Sequence, residues 1–139
     1  MHAIVTKRPD SHQAVAALQS YVDKSGLDAK LRDLTKIRAS QINGCAYCLA
    51  SDERVHLLNA WHEAPVYSER ERAALGWIEA ITLVTQDHVP DEAFEAVRQQ
   101  FSEKEIVDLT AAAIAINRWN RIAIAFRGPP QVENEKAAA

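Results

Sequence analysis

The residues best suited to chemistry are Cys45 and Cys48, the two cysteines of this 139-residue chain, three positions apart within Arg38–Asp52, RASQINGCAYCLASD. Residues three apart share one helical turn, close enough for their sulfurs to join. The pair follows Asn43-Gly44, which breaks or kinks a helix, and a helix-forming run comes after it. A thiol at a helix start meets unpaired N–H groups and the positive end of the helix dipole, which favour the reactive thiolate. Redox work is one reading of the pair. Two small buried hydrophobes and half of a shared metal site are the others. A closed zinc site needs four ligands, and the sequence holds neither a second CxxC nor a spaced His pair to complete one.

The elements that must position the pair are helical. Ser11 can cap a helix through about Lys24, with Val15, Leu18 and Val22 on one face and Gly26 as its stop. Asp28 can cap the next, in which Leu31, Leu34, Ile37 and Ile42 recur near helical period. Cys45 then opens a fresh helix carrying Leu49, Val55, Leu58 and Trp61, which Ala64-Pro65 stops. Ser68 with Glu71, and Ser102 with Glu105, are capping boxes. The first opens a helix through Leu83 and the second a helix to Phe126. A shorter helix with Phe94 and Val97 lies between them, after Val89-Pro90-Asp91. Residues 109–116 are apolar on nearly every side, so they belong in the core or at a subunit interface. Sustained period-two alternation is missing, so the expected fold is all-α, a bundle of about six helices.

At 15.5 kDa the chain reads as a single domain over 1–139, with a core over 11–130, a lead-in over 1–10 and a frayed tail over 131–139. A net charge of −3 and a pI near 5.9 favour neither nucleic acid nor an anionic membrane surface. No apolar run is long enough to span a bilayer, and Met1–Asp10 lacks the apolar centre of a signal peptide. The expected location is cytoplasmic, where a CxxC pair is more often catalytic or metal-binding than structural.

From Lys36 to Cys48 the phrase KIRASQINGCAYC resembles the signature of the carboxymuconolactone decarboxylase and alkylhydroperoxidase-D-like (AhpD-like) family. LLNAWHEAP at 57–65, SERERAALGW at 68–77 and INRWNRIAIAFR at 116–127 extend the resemblance over most of the chain. It implies an all-helical, oligomeric protein (dimer, trimer or hexamer) that needs no metal or organic cofactor. In members with peroxidase activity the second cysteine attacks a hydroperoxide, the first resolves the sulfenic acid to a disulfide, and a dithiol reductant regenerates the pair. Cys48 would then attack and Cys45 resolve, with a protein or lipoyl-type dithiol as reductant.

The proton-relay positions depart from the family. The glutamate twelve positions before the first cysteine is Asp33 here, and the histidine one turn after the second is Asp52, an anion that opposes a thiolate beside it. Only twelve residues (49–60) separate Cys48 from Trp61, fewer than relatives carry. Either this helix is shortened or residues bearing a relay histidine are absent from the sequence. His56 lies eight residues after Cys48, about 12 Å along a helix, too far for direct proton transfer, and packing is its favoured role. Tyr47 can line the thiol pocket or pack. Arg38 can stabilise a thiolate or pair with Asp33. Gln41 and Asn43 can shape the motif loop. His62 and His88 need no role beyond helix ends, and Trp61, Trp77 and Trp119 read as core or interface anchors.

The leading reading is therefore a thiol-dependent hydroperoxide reductase. The alternative is a catalytically weak, oligomeric helical protein that senses redox state or binds a partner.

Overall fold

The structure is a computed structural model that describes the backbone of residues 9–45 and 53–128 and the side chains of 10–45 and 57–128. Among the described residues six α-helices follow one another: α1 Pro9–Lys24, α2 Ala29–Asn43, α3 Glu69–Thr82, α4 Val84–Asp87, α5 Asp91–Gln100 and α6 Glu103–Ala125. A 3₁₀ helix, Glu53–Ala60, lies between α2 and α3. There is no strand among the described residues, so the all-α expectation holds.

The local signals act where the sequence puts them. Asp28 caps α2 by accepting from Leu31 N at 2.9 Å. Ser68 and Ser102 each close a reciprocal capping box, with Glu71 and Glu105 respectively. Gly26, at φ 88°, ends the turn after α1 in the left-handed region that glycine occupies without a Cβ clash. Two details differ from expectation. Helix α1 begins at Pro9 rather than after Ser11, because proline's fixed φ suits a first helical position. The run that carries Leu58 ends in a 3₁₀ helix where an α-helix was expected.

Helix α2 packs on α3, on α6 and on the 3₁₀ helix; α3 also packs on α5 and α6, and α1 lies against α6. Three apolar clusters fill the joints. Leu31, Trp77, Val97, Phe101 and Leu109 form one, and Leu34, Leu58, Trp61, Tyr67 and Leu75 a second. Ala39, Ile78, Ala113 and Ile116 form the third, between α2, α3 and α6. Arg72 binds the 61–67 loop to α3 by donating to the carbonyls of Trp61 (2.7 Å), His62 (3.0 Å), Ala64 and Tyr67 (3.2 Å), so a segment without repeating backbone bonds keeps its carbonyls satisfied. The apolar stretch 109–116 of α6 is split. Leu109, Ala113, Ala115 and Ile116 are buried, whereas Ile114 stands half exposed, as does Val107 just before it.

A polar clamp joins α1 to α6. Asp108, 1% exposed, accepts from Tyr21 Oη at 2.6 Å and from Lys104 Nζ at 2.5 Å. Bonds from Lys104 and then Tyr21 hold the Asp108 carboxyl below its ordinary range, against the opposing effect of burial. The same bonds raise Lys104 and Tyr21 above theirs. A carboxyl depressed by folding contributes stability above its unfolded pKa near 3.9, lost as pH falls through the lower folded value. Lys104 and Tyr21, both raised, contribute stability that is full below about pH 10 and lost as pH rises through their folded values. Asp108→Asn should lower the melting temperature by roughly 5 °C at neutral pH. Melting curves from pH 2 to 11 should show the gap to the parent chain closing below about pH 4 and above about pH 10; a gap constant across that range would refute the clamp.

Candidate thiol site

Cys45 stands at the end of α2, and a tight cap places it there. Gly44 takes φ 67°, its N–H donates to Gln41 O at 3.1 Å, and the Cys45 N–H donates to Ser40 O at 2.9 Å. This is the Schellman pairing, in which the left-handed residue must lack a Cβ clash and the residue after it is tied back five positions. Cys45 is 1% exposed. Its backbone thus belongs to the carboxyl end of α2, where a fresh helix was expected to open at Cys45; residues 46–52, along which that helix would run, lie outside the described residues.

A partly buried amide network holds this helix end. Asn43 is the last residue of α2, and its Nδ2 donates to Asn117 Oδ1 at 3.0 Å and to Asn120 Oδ1 at 2.9 Å. Asn120 is fully buried, and its Nδ2 donates to Ser40 Oγ at 3.0 Å. Ser40 Oγ in turn donates to Lys36 O at 2.9 Å. Asn117 Nδ2 reaches Thr82 Oγ1 and Ala113 O, both at 2.9 Å, and Arg121 Nη1 donates to Asn117 Oδ1 at 2.8 Å. Asn117 and Asn120 are three apart on α6, so one face presents both amides to the end of α2. Asn43, expected to shape the motif loop, ties the end of α2 to α6.

One turn earlier, Arg38 meets a second network. Its Nε donates to Glu79 Oε1 at 2.7 Å and its Nη2 lies 2.6 Å from the same oxygen. Its Nη1 donates to Gln41 Oε1 at 3.2 Å and to Asn59 Oδ1 at 3.0 Å. Trp61 Nε1 donates to Glu79 Oε1 at 2.7 Å, and His62 stacks on Trp61 with its Nε2 3.7 Å from Glu79 Oε2. Glu79 of α3, and not Asp33, is thus the partner of Arg38. Asp33 is exposed on α2, about 15 Å along the helix axis from Asn43.

Of the expected site residues, the structure brings Cys45 and Arg38 to the same end of α2. Cys48, Tyr47 and Asp52 lie outside the described residues, as does the side chain of His56. Glu79, Asn117 and Asn120 were missed. Their signal was a polar residue inside an otherwise apolar helix, INRWN in α6 and GWIEAI in α3, where burial demands a partner. His88 is exposed at the left-handed end of α4, with φ 49°. Among the described residues no group of three or more His, Cys, Asp and Glu side chains converges as a metal would need. A cleft of about 230 Å³ opens between α3 and α5, lined by Trp61, Arg72, Ala73, Gly76, Ala93 and Ala96 among others, and Cys45 does not line it. No helix among the described residues is long and apolar enough to cross a membrane.

The model of the carboxymuconolactone decarboxylase family matches residues 9–80. The uncharacterized protein YdfG of Bacillus subtilis is 38% identical over 129 residues, which span 85% of this chain and 88% of that protein. The crystal structure of ATU0492 from Agrobacterium tumefaciens, a protein of unknown function suggested to be the antioxidant defence protein AhpD, is 44% identical. It superposes with a TM-score of 0.88 over 94% of this chain and 97% of its own. The debrominase Bmp8, solved in complex with 2,3,4-tribromopyrrole, shares the fold at 20% identity, with a TM-score of 0.76 over 92% of this chain and 74% of its own. With its family signature on α1 to α3 and this helical architecture, the chain belongs to the carboxymuconolactone decarboxylase family and has the AhpD-like fold.

Proposed function

We propose that the protein is a thiol-dependent hydroperoxide reductase in which Cys48 attacks and Cys45 resolves. The observation that carries this order is the burial of Cys45 at 1% exposure. An attacking thiolate must be reached by an incoming hydroperoxide, whereas a resolving thiol needs only its neighbour on the chain. Fold likeness alone does not choose the reaction, since a debrominase shares the architecture; the CxxC pair and the likeness to ATU0492 support the choice.

The Cys48 thiolate attacks the terminal peroxide oxygen; an S–O bond forms, the O–O bond breaks, and the alkoxide leaves as the alcohol after taking a proton. The Cys45 thiol then attacks the Cys48 sulfur, forming the disulfide and releasing water. A dithiol reductant, protein-borne or lipoyl-type, returns two electrons and two protons. In this reading Asp33 and Asp52 hold the relay positions in sequence, Asp33 standing too far along α2 from the motif for direct proton transfer, and Tyr47, Arg38 and His56 are supporting residues. Half-exposed Val107 and Ile114 on α6 favour an assembly of several copies that covers them.

Intact mass spectrometry under native and denaturing conditions tests the reading. Native spectra should show multiples of the chain mass. Addition of a hydroperoxide should remove two hydrogens, and a dithiol should restore them. A chain that stays fully reduced under excess hydroperoxide would sink the proposal.

A further inference from the structure

We infer that Asn117 and Asn120, acting through Asn43 and Ser40, are positioning residues that set how readily Cys45 enters a disulfide. The inference rests on the reading of Cys45 and Cys48 as a redox pair and extends it to α6, far away in sequence.

The packing of α2 on α6 does not need these amides for adhesion, since Ala39, Ala113 and Ile116 already supply an apolar contact there. Apolar surfaces slide over one another at little cost, whereas an amide bonded at both ends fixes rotation and axial position together. Asn43 uses its side-chain amide on two different asparagines of α6. Asn120 holds the hydroxyl of the residue whose carbonyl accepts the Cys45 N–H. Between Asn120 and the Cys45 backbone there is thus only Ser40.

A disulfide tolerates a narrow range of Cα–Cα separations and one torsional geometry. Closure forms the S–S bond and takes one hydrogen from each thiol; with oxidised dithiothreitol as acceptor, two electrons and two protons open the acceptor's own disulfide to two thiols. Pre-setting the Cys45 backbone favours this step by removing freedom that would otherwise be lost on closure. Release of one buried hydrogen bond should therefore weaken closure about tenfold, which raises the reduction potential by about 30 mV.

The test equilibrates full-length protein in buffers of reduced and oxidised dithiothreitol and counts closed molecules by alkylation and intact mass. Asn120→Ala and Ser40→Ala should each lower the closure constant about tenfold, and the double variant should be no worse than either, because both break one path. Asn43→Ala, at a half-buried position, removes the amide donor to both asparagines and reports the same shift should Asn120→Ala fail to fold. Val97→Ala, fully buried against α3 and remote from the motif, is the control for general loosening and should leave the closure constant unchanged. Closure constants in Asn43→Ala and Asn120→Ala equal to the parent's, or an equal loss in Val97→Ala, would overturn the inference. A parent chain that closes in this buffer but not with hydroperoxide would sink the peroxidase reading and leave the inference standing. One that closes in neither would remove both.

Discussion

Cys48→Ser should lose hydroperoxide consumption by about 10³-fold or more, measured as peroxide removed in the presence of excess dithiol. A serine hydroxyl stays protonated near neutrality, so no thiolate remains to displace the alkoxide from the O–O bond. Cys45→Ser should behave differently. It keeps the attacking thiol and should consume one equivalent of peroxide quickly, then stall as a sulfenic acid or pass to higher oxidation states. Trapping that sulfenic acid with a specific reagent in Cys45→Ser, and its absence from Cys48→Ser, separates the two roles. If instead Cys48→Ser keeps the first equivalent and Cys45→Ser loses it, the order of attack is reversed, and the burial of Cys45 in the resting chain is a poor guide to its reactivity.

Glu79→Ala should be among the most destabilising substitutions in the protein, costing about 3 kcal/mol and lowering the melting temperature by about 10 °C. Asp108 is the more buried carboxylate, with a side chain 1% exposed against 20% for Glu79, yet its loss should cost less. The partners decide the matter. Tyr21 is 50% exposed and the Lys104 side chain 70%, so both regain water when Asp108 is removed. The Arg38 side chain is 15% exposed and Trp61 6%, so the guanidinium Nε and Nη2 and the indole N–H would be left largely buried without their acceptor. Glu79→Gln keeps an oxygen for Trp61 and Arg38 and should lose less than half as much. Chemical denaturation of both variants checks this, and equal losses for Glu79→Ala and Asp108→Ala would show that partner exposure does not govern the cost.

Glu79 also links the motif to the rest of the fold. Through Arg38 it holds α2 to α3, and through Trp61 it holds the residue that follows the 3₁₀ helix. Helix α2 ends at Asn43 and the 3₁₀ helix begins at Glu53, and the Arg38–Glu79–Trp61 junction joins these two elements through α3.

What the sequence by itself determined is everything encoded within a turn or two of chain. The caps at Asp28, Ser68 and Ser102 and the stop at Gly26 each depend on one side chain or one permissive φ acting on its own neighbours, so they read directly. The all-helical class followed from apolar period, and the family followed from a run of residues around Cys45 that is itself local. The tertiary structure alone decided which polar residues meet. Asp33 lies five positions from Arg38, beyond the three or four that put two side chains on one helical face, and the guanidinium turns instead to Glu79, forty-one residues away, because α3 packs a largely buried carboxylate against the face that Arg38 presents. Asn43 looked like a loop-shaping residue and is joined instead to Asn117 and Asn120, seventy-four and seventy-seven positions downstream. Local patterns specify helices; a buried polar group takes whichever partner the packing of those helices brings to it, and that pairing is a property of the assembled bundle.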